Sequence, residues 1–290
     1  MAFLYKITRD GRDFFAAPDT LPPFFVGRRV PYKDNIGLYN IFGGSKLEKL
    51  DFKAADFTGQ FGFWAEFIEP TALCEGRNFL TLNTYDRAAF TFGFGQFAAH
   101  VPDGDFVEYL RSLLSLPDAG DYFPHLVLSG GHICSINGAG QKVPLEDSNS
   151  TNGLMKYLNP TLDEVEDAEV IAAARLIHFT SQSKDARAVQ VDQMVKTFKS
   201  FMKRAEQRIP LDGRPAEQCC LIADVLHQGR GGKMTWPLIA EAMASAHPFD
   251  ELLAIGSSEW DGRRKTLKKA LAANANFQAK HWNSARHDFA

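Results

Sequence analysis

The spacing of apolar and polar positions divides the chain into a first part with strand-like patterns and a last part with helical ones. Residues 1–56 alternate short apolar runs with turn signals such as Pro22-Pro23, which predicts strands, turns and loops. Beyond Pro160, apolar residues recur every three or four positions, which predicts helices. We expect these helices over 161–181, 186–208, 216–227, 235–246 and 263–273.

The middle of the chain combines a helix with a β-hairpin. Apolar side chains at spacings of three and four predict an amphipathic helix over 57–75, which we expect Pro70 to interrupt. Gly76 stands where a helix C-cap is expected, because glycine readily takes the left-handed conformation that ends many helices. Two alternating runs, 78–85 and 90–97, flank a short polar turn and predict a hairpin.

These patterns predict three segments. Residues 1–56 are an N-terminal β and loop extension, 57–155 a small lobe that carries the hairpin, and 156–290 a helical lobe. Within the small lobe a short helix is expected over 105–116. The fold class that follows is α+β.

Composition and charge narrow the classes of function. With 32 basic and 35 acidic side chains the chain lacks the basic excess of a general nucleic-acid binder. No run of about 18 uncharged apolar residues is present to span a membrane. Charged residues interrupt the N-terminus, so no signal peptide is visible and we expect synthesis in the cytoplasm. The four cysteines lack a CxxC spacing and are expected to be buried, reduced thiols.

The densest group of candidate catalytic residues lies between residues 75 and 96. Glu75 lies at the end of the predicted helix, Asp86 lies on the hairpin turn, and Thr91 belongs to the second predicted strand. A glycosidase needs a carboxylic acid to protonate the leaving oxygen and a second group to hold water or stabilise positive charge. A carboxyl at the end of a partly apolar helix suits the acid role, because desolvation favours its protonated form. Asp86, on a turn, is expected to stay ionised.

This group of residues resembles the catalytic stretch of the lysozyme superfamily. The similar motifs are Glu75-Gly76 at a helix end, Tyr85-Asp86 in a hairpin, and Thr91-Phe92-Gly93-Phe94-Gly95-Gln96, where phage-type lysozymes have Thr-Ile-Gly-Ile-Gly-His. Bacterial peptidoglycan-hydrolase-like and chitosanase-like proteins have a similar hairpin. Residues 221–229 resemble the lysozyme helix that ends in Asn/Gln-x-Gly, and 260–267 resemble its late Arg-Arg segment. The resemblance covers roughly residues 60–100 and 216–283.

The resemblance implies a lysozyme-like α+β fold with a small β-containing lobe, a larger helical lobe and a cleft between them. It implies hydrolysis of a β-1,4 amino-sugar glycan, with peptidoglycan favoured, and it requires no metal and no cofactor. Glu75 matches the general acid, Asp86 the second carboxylate and Thr91 the residue that positions water. We expect sugar contacts from three further residues: Tyr85, Phe94 and Gln96.

Alternative functions remain open at this point. The same residues are compatible with chitosan cleavage, or with lytic transglycosylation by the glutamate alone. A non-catalytic lysozyme-fold binding or structural module of a phage or secretion apparatus is the alternative from another class, and it is favoured by a Glu-to-Asp interval wider than in phage lysozymes. Reaching the cell wall would need a holin-type hole, an injection machine or a delivery partner. A phage endolysin and a secreted toxin with an immunity partner are both compatible with this.

Other candidate sites have weaker support. His100, His125 and His132, with Asp103 or Asp105, are a conceivable zinc site, but no HExxH or His-x-His pair supports it. Glu66 and Glu69 are competing acids, and Cys74 is a conceivable nucleophile. The basic tail from residue 263 onwards can steer the protein towards an anionic polymer.

Overall fold

The computed structural model describes residues 2–19, 21–256 and 258–290, and within them strands and helices occupy largely separate stretches of the chain. The strands are β1 (Tyr5–Asp10), β2 (Asp13–Pro18), β3 (Phe24–Tyr32), β4 (Asn35–Tyr39), β5 (Leu82–Asn83), β6 (Thr91–Phe92), β7 (Phe97–Ala98), β8 (Leu126–Ser129), β9 (His132–Ile136), β10 (Lys142–Pro144), β11 (Trp282–Asn283) and β12 (Asp288–Phe289). The helices are α1 (Thr58–Phe61), α2 (Phe63–Cys74), α3 (Asp105–Leu114), α4 (Ala119–Tyr122), α5 (Asn152–Leu158), α6 (Asp167–Gln182), α7 (Lys184–Glu206), α8 (Ala216–Gln228), α9 (Thr235–Ala244), α10 (Pro248–Ala254), α11 (Asp261–Ala272) and α12 (Asn276–Ala279).

The strands pair only antiparallel within the described residues, so the fold is α+β, as predicted. The chain forms two compact units. Unit 1 comprises Met1–Asp51 and Asn78–Gln193, and unit 2 comprises Phe52–Arg77 and Met194–Ala290. No helix of the described part of the chain has both the length and the apolarity that crossing a bilayer requires.

Unit 1 is built on a seven-stranded meander in the order β1-β2-β3-β4-β5-β6-β7. Helix α6 covers this sheet at β1, β2 and β3, while α3 packs against β7 and against β8 and β9 of a second, three-stranded sheet. The predicted hairpin is present, with β5 and β6 paired at Leu82–Phe92 and Asn83–Thr91. Its strands are shorter than predicted because the backbone of Leu80 is bonded to Asn40 and Asn78 side chains instead.

Unit 2 is mainly helical. Helix α2 packs against α8 and α11, and α10 packs against α8, α9 and α11. Fully buried aromatic rings fill the space between them, including Phe67, Phe198 and Phe277. A buried apolar core of this kind is what the helical periodicity of the sequence predicts.

Helix α2 ends where the sequence predicts but is not interrupted at Pro70, so that expectation was wrong. Proline removes one backbone donor from the helix. The helix nevertheless continues to Cys74, because Ile68 and Ala72, two positions before and after Pro70, are fully buried and their packing stabilises it. Gly76 follows the C-cap with φ +84°, and the Arg77 N–H donates to the Ala72 carbonyl at 2.8 Å. This bond closes the helix as a glycine C-cap does, as predicted.

The two units cut across the three predicted segments 1–56, 57–155 and 156–290. Helix α2, from the predicted small lobe, groups with the C-terminal helices in unit 2, whereas α5 and α6 group with the sheets in unit 1. Apolar periodicity indicates that a segment is helical, but the partner that its apolar face packs against depends on contacts distant in sequence.

Candidate active site

Glu75 occupies the C-cap of α2, and the helix end fixes its position. Its backbone N–H donates to the carbonyls of Thr71 and Ala72, and Gly76 turns the chain away immediately afterwards. The side chain is 16% exposed. Glu75 is therefore a carboxylate on a rigid element with limited access to solvent.

Arg263 binds the Glu75 carboxylate from the first turn of α11. Its Nη1 donates to Glu75 Oε1 at 2.7 Å, and its Nη2 donates to Asp224 Oδ1, also at 2.7 Å. Burial lowers the pKa of Arg263, but hydrogen bonds and charge interactions with Asp224 and Glu75 outweigh burial and hold that pKa above its ordinary value. Arg263 is thus a permanent cation that bridges two carboxylates.

Asp224 anchors this bridge from inside the unit. It lies on α8 with no exposed surface and accepts bonds from Arg263 and from the Thr71 hydroxyl at 2.9 Å. A second guanidinium, that of Arg230, lies with Nη2 3.3 Å from Asp224 Oδ2. Burial lowers the pKa of Arg230 from its ordinary value, while the charge of Asp224 opposes that shift. Buried charges of this kind are retained only when opposite charges and hydrogen bonds compensate them.

His227 is a further titratable side chain beside Glu75. Its Nε2 lies 3.9 Å from Glu75 Oε1, and its ring contacts Phe198 at a centroid distance of 5.7 Å. Because His227 follows Asp224 by three residues on α8, the two side chains lie on neighbouring turns of one helix face. The end of α8 therefore contributes two residues to the surroundings of Glu75, the fully buried Asp224 and the part-exposed His227.

Cys74 adjoins the carboxylate but has the properties of a packing residue. Burial raises the pKa of the Cys74 thiol to about 12, and its Sγ lies 3.7 Å from the Arg263 carbonyl oxygen. The thiolate is the reactive form of cysteine. A neutral, part-buried thiol is a poor nucleophile.

The arrangement leaves one oxygen of Glu75 available for chemistry. Arg263 occupies Oε1, and within the described residues no hydrogen bond engages Oε2. A carboxyl oxygen that no hydrogen bond engages, on a part-exposed side chain fixed by an ion pair, can donate or accept a proton. We call Glu75, Arg263, Asp224, Arg230 and His227 the Glu75 network.

Asp86 and Tyr85 lie in unit 1, at the turn of the predicted hairpin. Asp86 is half-buried, and its Oδ1 accepts the Ala88 N–H at 2.8 Å in a side-chain-closed turn. The half-buried ring of Tyr85 packs near Tyr32 and Tyr39, at centroid distances of 5.1 and 5.9 Å. Burial raises the pKa of Tyr85, so its hydroxyl stays neutral at physiological pH.

Thr91, Phe94 and Gln96 also belong to unit 1, in and after β6. Thr91 is 4% exposed, and Phe94 is fully buried with its ring 5.1 Å from that of Phe79. Gln96 is half-buried, has φ +52° and donates its side-chain amide to the Gly93 carbonyl. Of the six predicted site residues, only Glu75 therefore belongs to unit 2.

Gly93 lies against the Gln190 side chain in unit 1. Glycines such as Gly93 and Gly95 can let a substrate approach the backbone closely. Instead, the Gln190 side chain fills the space that a Cβ at residue 93 would need, and Gln190 Oε1 accepts the Phe94 N–H at 3.3 Å. Gly93, with φ +85°, is thus required for packing within unit 1.

The competing acids on α2 have structural partners. Glu66 Oε2 accepts the side-chain amides of Asn274 and Asn276, and Glu69 Oε1 accepts the Ala54 N–H. In the described part of the chain no cluster of three or more His, Cys, Asp or Glu side chains is arranged to hold a metal ion. His132, one of the histidines considered for a zinc site, instead has its Nδ1 3.4 Å from Glu146 Oε2.

Sequence reasoning did not assign roles to Asp224, Arg230 or Thr71. A signal for Asp224 is present, because it is the charged residue inside the apolar run Leu221–Leu226 of a predicted helix. An acid on an apolar helix face must be paired or neutral when buried. Its partners could not be read from the sequence, because Arg263 lies 39 positions away.

In comparisons with known proteins, no family model, no curated protein and no solved structure matches the chain. The residues and their geometry therefore carry the functional argument.

Proposed function

We propose that this protein is a glycoside hydrolase that cleaves a β-1,4-linked amino-sugar glycan, with peptidoglycan as its substrate and Glu75 as its general acid. The observation that carries the proposal is the contact of three segments on one carboxylate. Glu75 at the end of α2, His227 at the end of α8 and Arg263 in α11 converge in unit 2. These are the segments that resemble the lysozyme superfamily, and they are separated by more than 30 residues in sequence.

The proposed chemistry uses the free oxygen of Glu75. Protonated Oε2 donates its proton to the bridging glycosidic oxygen as the bond from that oxygen to the anomeric carbon breaks. Water then adds to the anomeric carbon and loses its proton to a carboxylate. Arg263 holds Glu75 in one orientation, and Asp224 holds Arg263, so both act as positioning residues.

The roles of Asp86 and Thr91 and the lysozyme-like class of fold rest on the resemblance alone. In this proposal Asp86 is the second carboxylate and Thr91 positions the water, while Tyr85 and Gln96 contact sugar. Phe94 contributes by packing, because its side chain is fully buried. Action on the cell wall, after delivery to it, belongs to the same proposal.

Loss of turbidity of purified peptidoglycan sacculi tests the proposal, with the products identified by mass spectrometry. We expect Glu75→Gln to abolish lysis, because it removes the proton donor while keeping an acceptor for Arg263. Glu69→Gln is the matched control on the same helix and is expected to lyse like the wild type. New reducing ends indicate hydrolysis, and anhydro-sugar ends indicate transglycosylation. Equal lysis by wild type and Glu75→Gln would refute the assignment.

A non-catalytic binding module is the second candidate, and one observation favours it. The Glu75 carboxylate is engaged in an ion pair, as a structural carboxylate would be. A general acid, by contrast, must be protonated before it acts, and a neighbouring guanidinium favours the ionised form of a carboxyl group. Binding of the wild type to sacculi without any change in turbidity or products would favour this second function.

A further inference from the structure

A cluster of one half-buried aromatic side chain and two exposed arginines lies on unit 2, at the first turn of α9 and at the C-terminal end of α7. The guanidinium carbon of Arg208 lies 4.6 Å from the ring centroid of Trp236, and that of Arg204 lies 5.9 Å from the same centroid. Trp236 is half-buried, and both arginines are exposed. We call these three residues and Phe201 the Trp236 platform.

The two arginines give the Trp236 platform a positive charge. Within the described residues no acidic side chain lies at ion-pair distance from Arg204 or Arg208; the hydrogen bond of Arg208 Nη1 is to the Arg204 carbonyl. The chain as a whole carries a net charge of -3. The two guanidinium groups beside Trp236 therefore form a local positive charge in a chain that is negative overall. Guanidinium groups bind carboxylates with paired hydrogen bonds.

Ring contacts connect the platform to the Glu75 network. His227 contacts Phe198 at 5.7 Å, Phe198 contacts Phe201 at 5.7 Å, and Arg204 lies 5.9 Å from the Phe201 ring. Phe198 is buried and Phe201 is half-buried. The platform and the Glu75 network thus belong to the same packed part of unit 2.

We infer that the Trp236 platform binds a carboxylate-bearing sugar of the glycan, an inference that rests on the proposed function. Arg208 lies over the Trp236 ring, so the part of the indole left exposed supplies an apolar surface beside the guanidinium groups of Arg204 and Arg208, which receive the carboxylate. The charge complementarity selects an anionic glycan such as peptidoglycan, whose sugars carry carboxylate-bearing substituents. It disfavours chitosan, because the ammonium groups of that polymer are repelled by two guanidinium groups.

Co-sedimentation with insoluble sacculi tests the platform without requiring catalysis. The protein used is the full chain with Glu75→Gln, alone and combined with Arg204→Gln plus Arg208→Gln, with Trp236→Ala, or with Trp236→Phe. We expect the double arginine variant and Trp236→Ala to weaken binding about tenfold, while Trp236→Phe, which retains an aromatic face, loses much less. Arg286→Gln, an exposed arginine between β11 and β12, is the control and is expected to bind like the parent.

Two comparisons test the inference: sacculi against chitosan, and the parent protein against the double arginine variant. Binding of the parent protein to immobilised chitosan, measured without sacculi, is expected to be weak, because its ammonium groups are repelled by the arginines. The double arginine variant keeps the test valid if Trp236→Ala fails to fold, because both arginines are exposed. Unchanged binding of the double arginine variant to sacculi, or binding of the parent to chitosan as strong as to sacculi, would overturn the inference. If the wild type does not cut sacculi but platform variants still lose binding, the platform stands and the hydrolase assignment fails. If the wild type cuts and the variants bind normally, the reverse holds.

Discussion

Asp224 in unit 2 and Glu169 in unit 1 are both fully buried carboxyl groups, but the protein accommodates them in different ways. Asp224 lies between the guanidinium groups of Arg263 and Arg230, so its charge is compensated in place. Glu169 accepts the Thr84 hydroxyl and the Leu38 N–H, and none of the described Lys, Arg or His side chains lies at ion-pair distance from it. Burial raises the pKa of Glu169 to about 7, while the bond from Thr84 opposes this shift.

The difference shows why a shifted pKa alone does not locate a catalytic site. Glu169 has the pKa expected of a general acid, yet its side chain is sealed in unit 1 beside the junction of β4 and β5. The buried charge of Asp224 instead holds Arg263, and Arg263 holds the part-exposed Glu75. A compensated buried charge can thus position a part-exposed carboxylate, whereas Glu169, which has no compensating cation among the described residues, favours its neutral form and bonds within unit 1.

The largest expected effect is the loss of the charge at Asp224. Asp224→Asn leaves two buried guanidinium groups without their shared anion, so we expect the free energy of unfolding to fall by about 3–5 kcal/mol. Urea denaturation measures this change. Asp261→Asn, which removes an exposed partner of Arg264, is the control and should cost less than about 1 kcal/mol. A cost for Asp224→Asn as small as that of the control would contradict the network as described.

Sequence patterns predicted the secondary structure well and the ionic network hardly at all. The strands of the first part, the hairpin after Gly76 and the helices now defined as α7 and α8 follow from local periodicity. Helix α10 was missed because its seven residues are too few for a periodic signal. Local sequence specifies which face of a helix is apolar, and therefore favours helices and strands before any tertiary contact is known.

The candidate site was predictable only in part. Glu75 was identified from its position at the end of a partly apolar helix and from the resemblance of Glu75-Gly76 and the following hairpin, but its contact with Arg263 spans 188 positions. Phe94 was expected at a surface and is buried, because alternating patterns in a short hairpin do not tell which face is covered. Long-range packing decides both outcomes, and neither follows from spacing.

Glu169 supplies the next effect, which depends on pH. Its folded-state pKa of about 7 lies above the ordinary value of 4.5 for glutamate, so the folded state binds the proton more tightly. The stabilisation by the neutral acid is fully present below pH 4.5 and is lost as the pH rises to about 7, with a total of about 3 kcal/mol. Glu169→Gln resembles the protonated acid and should lack this dependence.

Urea midpoints of wild type and Glu169→Gln between pH 4 and about pH 8 measure the Glu169 contribution as a difference. Taking the difference removes the contributions of carboxylates with lowered pKa, such as Asp13 and Glu146, whose stabilisation is lost as the pH falls. Parallel curves for the two proteins would mean that Glu169 does not titrate as a buried, uncompensated acid.

The smallest effect is expected at Cys74, beside the Glu75 network. Because burial raises its pKa to about 12, the thiol is neutral at pH 7 and takes no part in the proposed chemistry. Cys74→Ala should retain lysis within about twofold, since the change removes one part-buried atom and no charge. Iodoacetamide labelling at pH 7.5 should be slow relative to free cysteine. Fast labelling together with loss of lysis in Cys74→Ala would make the thiol the reactive group instead of Glu75.

The most direct test of the central claim is the rate at which wild type and Glu75→Gln release reducing ends from sacculi, with protein in excess so that binding is saturated. If Glu75 is the proton donor, the rate constant falls by at least about a hundredfold, while binding and the urea midpoint stay close to wild type. Release by Glu75→Gln at the wild-type rate would contradict the account, and the Glu75 network would then be a structural device of unit 2.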